Sequence, residues 1–132
     1  MALFRGEGFG SLPKSEIVSV SLAATPLSNF IYIAARPQIV RAIRVQVNVV
    51  GAGGSTLKVR KITDSTSLAG AAAGATVLEM ITAVDLTVVA PVQTVPLLSN
   101  NVLAAGDKIA FLMAVGTGVV GILQVEIEEG PQ

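Results

Sequence analysis

Nine carboxylates and nine cationic side chains are the reactive inventory of this chain of 132 residues, with no histidine and no cysteine beside them. Without an imidazole, Ser-His and Cys-His relays and histidine acid-base steps are excluded. Without imidazole or thiolate, zinc lacks its usual ligands. Glu126 and Glu128 stand two residues apart, on one face of any strand that carries them. That is the spacing of a glycosidase dyad or a hard-cation site, but same-face carboxylates near a C-terminus more simply make a solvated face that protects a sheet edge. No metal and no cofactor are expected.

Gly51-Ala-Gly-Gly54 has the composition of a phosphate-cradling loop. It lacks the Lys-Ser/Thr of a P-loop and the helix that would follow, so it reads as a hairpin turn. The cations Arg36, Arg41, Arg44, Lys58, Arg60 and Lys61 form the one concentration of charge. On adjacent strands, Arg44, Lys58 and Arg60 would make a patch for an acidic partner protein. A solvated sheet face is the simpler reading, and nucleic acid ranks last. Binders of single strands interleave aromatics for base stacking, and only Tyr32 is close in sequence.

The elements that must position these side chains are short and alternating. Val18, Val20 and Leu22 alternate with serines; Phe30 to Ile33 forms a second run. Ile43, Val45, Val47 and Val49 alternate with Arg44, Gln46 and Asn48, a period of two that marks a strand with one buried face. Leu57 and Val59 continue the pattern until the phase slips at Lys61-Ile62, the mark of a bulge or an end of pairing. Gly51 to Ser55 then reads as the turn of an antiparallel hairpin with a basic outer face. Residues 68–75, rich in Ala and Gly, read as a long surface loop or a single helical turn. Val77 to Ile81, Leu86 to Val89 and Val92 to Leu98 read as short strands, with Pro91 and Pro96 confined to edges or turns. Ile109, Phe111, Met113 and Val115, and Leu123, Val125 and Ile127, are the inner faces of a closing hairpin around Gly116-Thr-Gly118.

About eight strands with turn signals between them predict an all-β, single-domain antiparallel β-sandwich, an eight-stranded jelly roll over residues 15–132. Residues 1–14 precede it as an irregular N-terminal arm. Its glycines disfavour regular structure, yet it holds Leu3, Phe4, Phe9 and Leu12. These side chains either fold back on the core or grip a neighbour.

Hydrophobic residues make up 52% of the chain and charged ones 14%, giving a mean hydropathy of +0.70. No run approaches the roughly 20 apolar residues of a spanning helix, so no membrane association is expected. A domain of this size buries only about two thirds of its surface, and the surplus of apolar residues points to other copies. Leu112, between Ala110 and Ala114 on the side opposite the core face, is the expected subunit contact. Net charge zero removes any global field for nucleic acid. The N-terminus lacks the pattern of a secretory signal, which places synthesis in the cytoplasm.

Leu103-Ala-Ala-Gly-Asp107-Lys-Ile-Ala-Phe111, followed by Gly116-Thr-Gly118 and a strand ending Val125-Glu-Ile-Glu128, resembles the closing hairpin of small phage virion proteins with a jelly-roll fold. Among these it is most similar to capsid decoration (cement) proteins. The resemblance implies a non-enzymatic homotrimer on the outer surface of the head in the virion. Its partner there is the major capsid protein, gripped in part by the arm residues Leu3, Phe4, Phe9 and Leu12. Two other readings stand beside it, a phage tail or fibre module and a carbohydrate-binding β-sandwich. The latter needs an aromatic platform, in a chain with no Trp and one Tyr.

Overall fold

In the computed structural model, which describes residues 15–63 and 77–129, every described element is a strand. The alternation of Ile43, Val45 and Val47 with polar residues becomes the long strand β3 (Gln38–Val49), whose inner side chains are fully buried. The others are β1 (Ser15–Leu22), β2 (Ser28–Ile33), β4 (Thr56–Ile62), β5 (Val77–Glu79), β6 (Val84–Asp85), β7 (Ala90–Val95), β8 (Val102–Leu103), β9 (Lys108–Ala114) and β10 (Val120–Glu129).

They form two antiparallel sheets. The first runs β1-β10-β3-β7, with β8 also on β3; the second runs β2-β9-β4-β5, with β6 also on β4. Since β7 and β8 share one edge of β3, and β5 and β6 one edge of β4, ten segments fill eight strand positions. The chain changes sheet at every connection between these strands except β4–β5, β5–β6 and β7–β8, which makes the sandwich a jelly roll.

That topology corrects two expectations. β3 and β4 do not pair, so Gly51 to Ser55 is a crossover between sheets and not a hairpin turn. β9 and β10 likewise lie in different sheets, joined through Val115–Val119. Of the two readings of the phase change at Lys61-Ile62, the end of pairing holds and the bulge does not: β4 pairs with β9 in unbroken register from Thr56↔Ala114 to Ile62↔Lys108 and ends there. The strand expected over Leu86 to Val89 is a turn. Asp85 Oδ1 accepts from Thr87 N at 2.8 Å and from Thr87 Oγ1 at 2.6 Å, a local alternative to ladder pairing that short polar side chains offer the backbone. The arm over residues 1–14 and the loop over 68–75 lie outside the described residues.

The core between the sheets contains Ile43, Val45, Val47, Val59, Ile109, Phe111, Leu123 and Val125, each at most 2% exposed. These are the residues that period-two phase points inward. Ser55, also buried, ties the crossover down: its Oγ donates to Ala52 O at 2.7 Å and accepts from Gly116 N at 3.1 Å. Backbone bonds from Gly51 N to Leu86 O and from Ala52 N to Thr117 O lock three loops together at this end.

Candidate functional site

Arg44 projects from the outer face of the first sheet, Lys58 and Arg60 from that of the second. The patch expected from these three is therefore not assembled. Two packed sheets stand about 10 Å apart backbone to backbone, and outward side chains on each diverge from there. Arg44 is bound within its own sheet, Nη2 to Glu126 Oε1 at 2.8 Å and Nη1 to Gln124 Oε1 at 3.3 Å. Arg60 Nε holds Glu79 Oε2 at 2.9 Å. Arg41 pairs with Glu128 and Arg36 with Glu129. Every described arginine thus has a glutamate partner, and Glu126 and Glu128 answer to separate arginines.

Leu112 lies on the outer face of the second sheet, opposite Lys58 on β4 and Ser28 on β2. It is partly exposed. Its neighbours differ from expectation, because Ala110 is already 2% exposed within one chain, clustered with Ile62 and Phe30. Ala110 needs no second copy to cover it, whereas Ala114 is exposed. Sequence reasoning missed this small outer cluster. The signal was the phase change at Ile62, which places an isoleucine on the outward side.

Tyr32 anchors a polar group where β1, β2 and β3 converge. Its hydroxyl donates to Glu16 Oε1 at 2.8 Å and lies 2.7 Å from Gln38 Oε1. Burial pushes its pKa up, and the Glu16 carboxylate adds to the rise while Gln38 opposes it. The ring packs against the core. It therefore does not stand out as a platform on which a sugar could stack.

An open groove of about 430 Å³ runs between β6 and β7, walled by Val84, Val88, Val95 and Pro96. Its one carboxylate, Asp85, is turned onto Thr87, whose hydroxyl and amide hold its pKa below the usual range. Among the described residues no three carboxylates gather as a cation would require.

The most distinctive surface is one end of the sandwich. The connections β1–β2, β3–β4, β6–β7 and β9–β10 meet there. They expose Leu27, Val49, Val88, Val89, Val115 and Val120 at 39% to 62%. Period-two phase puts Val49 and Val115 on inner faces, but both are exposed, Val49 because β3 ends there and Val115 because it lies past the end of β9 in the β9–β10 connection. The other members come from distant parts of the chain, so no stretch of sequence displays the surface. Only the fold collects them.

The sequence matches no protein-family model and no curated protein. Solved structures do align with it. A chain from the acidic stable capsid structure of Helicobacter pylori bacteriophage KHP30 aligns with a TM-score of 0.53 at 11% identity, over 89% of this chain and 93% of that one. A chain from the cyanophage Pam1 capsid asymmetric unit gives a TM-score of 0.49 at 13% identity, over 97% and 91% of the two chains. One from the mud crab tombus-like virus gives 0.35 at 14%, over 92% and 80%. At such identities the KHP30 likeness is one of fold alone, shared over most of both chains.

Proposed function

We propose that this chain is a non-enzymatic structural protein of a phage virion, a capsid decoration (cement) protein that binds the outside of the head as a homotrimer and stabilises the lattice. The observation that carries the reading is the correspondence with the KHP30 capsid chain over 93% of that chain's length. One jelly roll accounts for nearly all of both. The surface supports it too: the described arginines are neutralised by the protein's own glutamates, and the accessible groups left over are mainly apolar.

The arm over residues 1–14 contributes to the grip. Leu3, Phe4, Phe9 and Leu12 each contribute roughly 1.5 to 3 kcal/mol when buried against the capsid. Three arms on one trimer multiply a modest affinity. Leu112 contributes to contacts between subunits.

Copy number in purified particles tests the assignment: hundreds per particle are expected, and a handful would move the protein to the tail. Deleting residues 1–12 tests the arm. The trimer should survive and attachment to capsids should fall; unchanged attachment would leave the sandwich surface as the binding site.

A further inference from the structure

Charge is segregated along the long axis of this sandwich. At the end where β3 starts and β10 finishes stand Glu16, Arg36, Arg41, Glu128 and Glu129, bound in hydrogen-bonded and ion-paired groups. The opposite end is built from residues 23–28, 48–56, 84–90 and 114–121, all described, and its sole charged residue is Asp85. That carboxylate accepts two hydrogen bonds from Thr87. More than half of the exposed large hydrophobics among the described residues lie here, including Leu27, Val49, Val88, Val89, Val115 and Val120.

We propose that this uncharged loop end is a self-association surface, by which copies of the chain meet end to end. The inference concerns how copies pack, and it holds or fails whether or not they sit on a capsid. Seven of the thirteen exposed large hydrophobics among the described residues open at this end, 39% to 62% exposed, an apolar patch on the order of a few hundred Å², the size that on a monomer often marks an interaction site. Two such ends face to face approach the roughly 1,000 Å² expected of a specific interface. Joining them buries no uncompensated charge, since Asp85 sits at the rim of the groove already satisfied by Thr87.

The chemistry also selects a second copy over other occupants. A bilayer surface is held by Trp, Tyr, Lys and Arg at the interface, and none of these occurs in the four segments. A polyanion finds no cation there. A surface of valine, alanine and glycine is best complemented by another of the same kind. The three loops are fixed by Ser55 and by the Gly51–Leu86 and Ala52–Thr117 backbone bonds, so the surface needs no reordering before it docks.

Sedimentation equilibrium of the full chain across the micromolar range tests this association. The natural protein should associate with rising concentration, and Val88→Asp/Val89→Asp should weaken that association at least about tenfold. Ile33→Asp is the control, since Ile33 is equally exposed at 62% but lies at the charged end. It should associate like the natural protein. Should the aspartates disturb the fold, as checked by circular dichroism, the milder and uncharged Val88→Ser/Val89→Ser replaces them and should weaken association in the same direction. Three results would overturn the inference: a natural protein that stays monomeric, loop-end variants that associate undiminished, or association abolished by Leu112→Asp alone. Loop-end variants that lose capsid attachment from a monomeric parent would assign the surface to the capsid instead. Capsid attachment and particle copy number judge the decoration reading separately.

Discussion

Arg44 Nη2 and Glu126 Oε1 meet at 2.8 Å across the β3–β10 pair, so the cation that looked available for a partner is neutralised by the next strand of its own sheet. The side chains are 30% and 28% exposed. A pair this wet contributes at most about 1 kcal/mol and is screened by salt. Arg44→Ala should therefore lower stability by no more than about 1 kcal/mol in urea unfolding, with the difference shrinking at high salt. A loss of several kcal/mol would mean that the pair is far better shielded than its exposure indicates.

Gly121 sits at an irregularity in the β3–β10 register, where an added Cβ would collide with the backbone carbonyl oxygen of Gln46. A backbone atom of a central strand cannot turn aside as a side chain can. Gly121→Ala should cost about 3 kcal/mol, as forced overpacking does. Gly53→Ala, where a Cβ meets nothing within 4 Å, should be neutral. Equal effects from the two in thermal unfolding would refute this packing at Gly121.

Val115 has a φ of 62°, a left-handed conformation that a β-branched residue rarely adopts. It precedes Gly116, whose φ of 73° suits glycine. Val115→Gly or Val115→Asn should remove roughly 1 kcal/mol of backbone strain. A raised Tm for both variants is the expected sign, and a lowered one for both would mean that the valine side chain is worth more than the strain.

Tyr32 is the only tyrosine, so ultraviolet absorbance follows its ionisation directly. Its midpoint should lie above the ordinary value of 10.0, first because it is desolvated and then because Glu16 is beside it. The proton is bound more tightly in the folded state. The associated stability is therefore complete below pH 10 and is lost as pH rises through the higher folded value. Glu16→Gln should bring the midpoint part of the way down, since the desolvation remains. A midpoint unmoved by that substitution would remove the carboxylate from the account.

The core was legible along the middle of each long strand but not at the strand ends, where Val49 and Val115 are exposed. Ile43, Val45 and Val47, like Leu123 and Val125, lie inward because a strand alternates its side chains whatever sheet it joins. The candidate sites were less legible. Arg44 and Lys58 were outward as expected, but outward from different sheets, because the residues 51–55 that separate them cross the sandwich. Ala110 was apolar on the side away from the core for a reason internal to one chain, its cluster with Ile62.

The long strands, their phase away from the ends and the all-β class followed from the sequence itself, since local periodicity and turn composition are properties of neighbours along the chain. Which sheet each strand enters belongs to the tertiary structure. A glycine-rich turn permits either a hairpin or a crossover, and the choice is made by distant partners: β10 for β3, and β9 for β4. The same holds for the uncharged end. Leu27, Val49, Val89 and Val120 lie far apart in sequence, and they become one surface only because four connections are brought to the same end of the jelly roll.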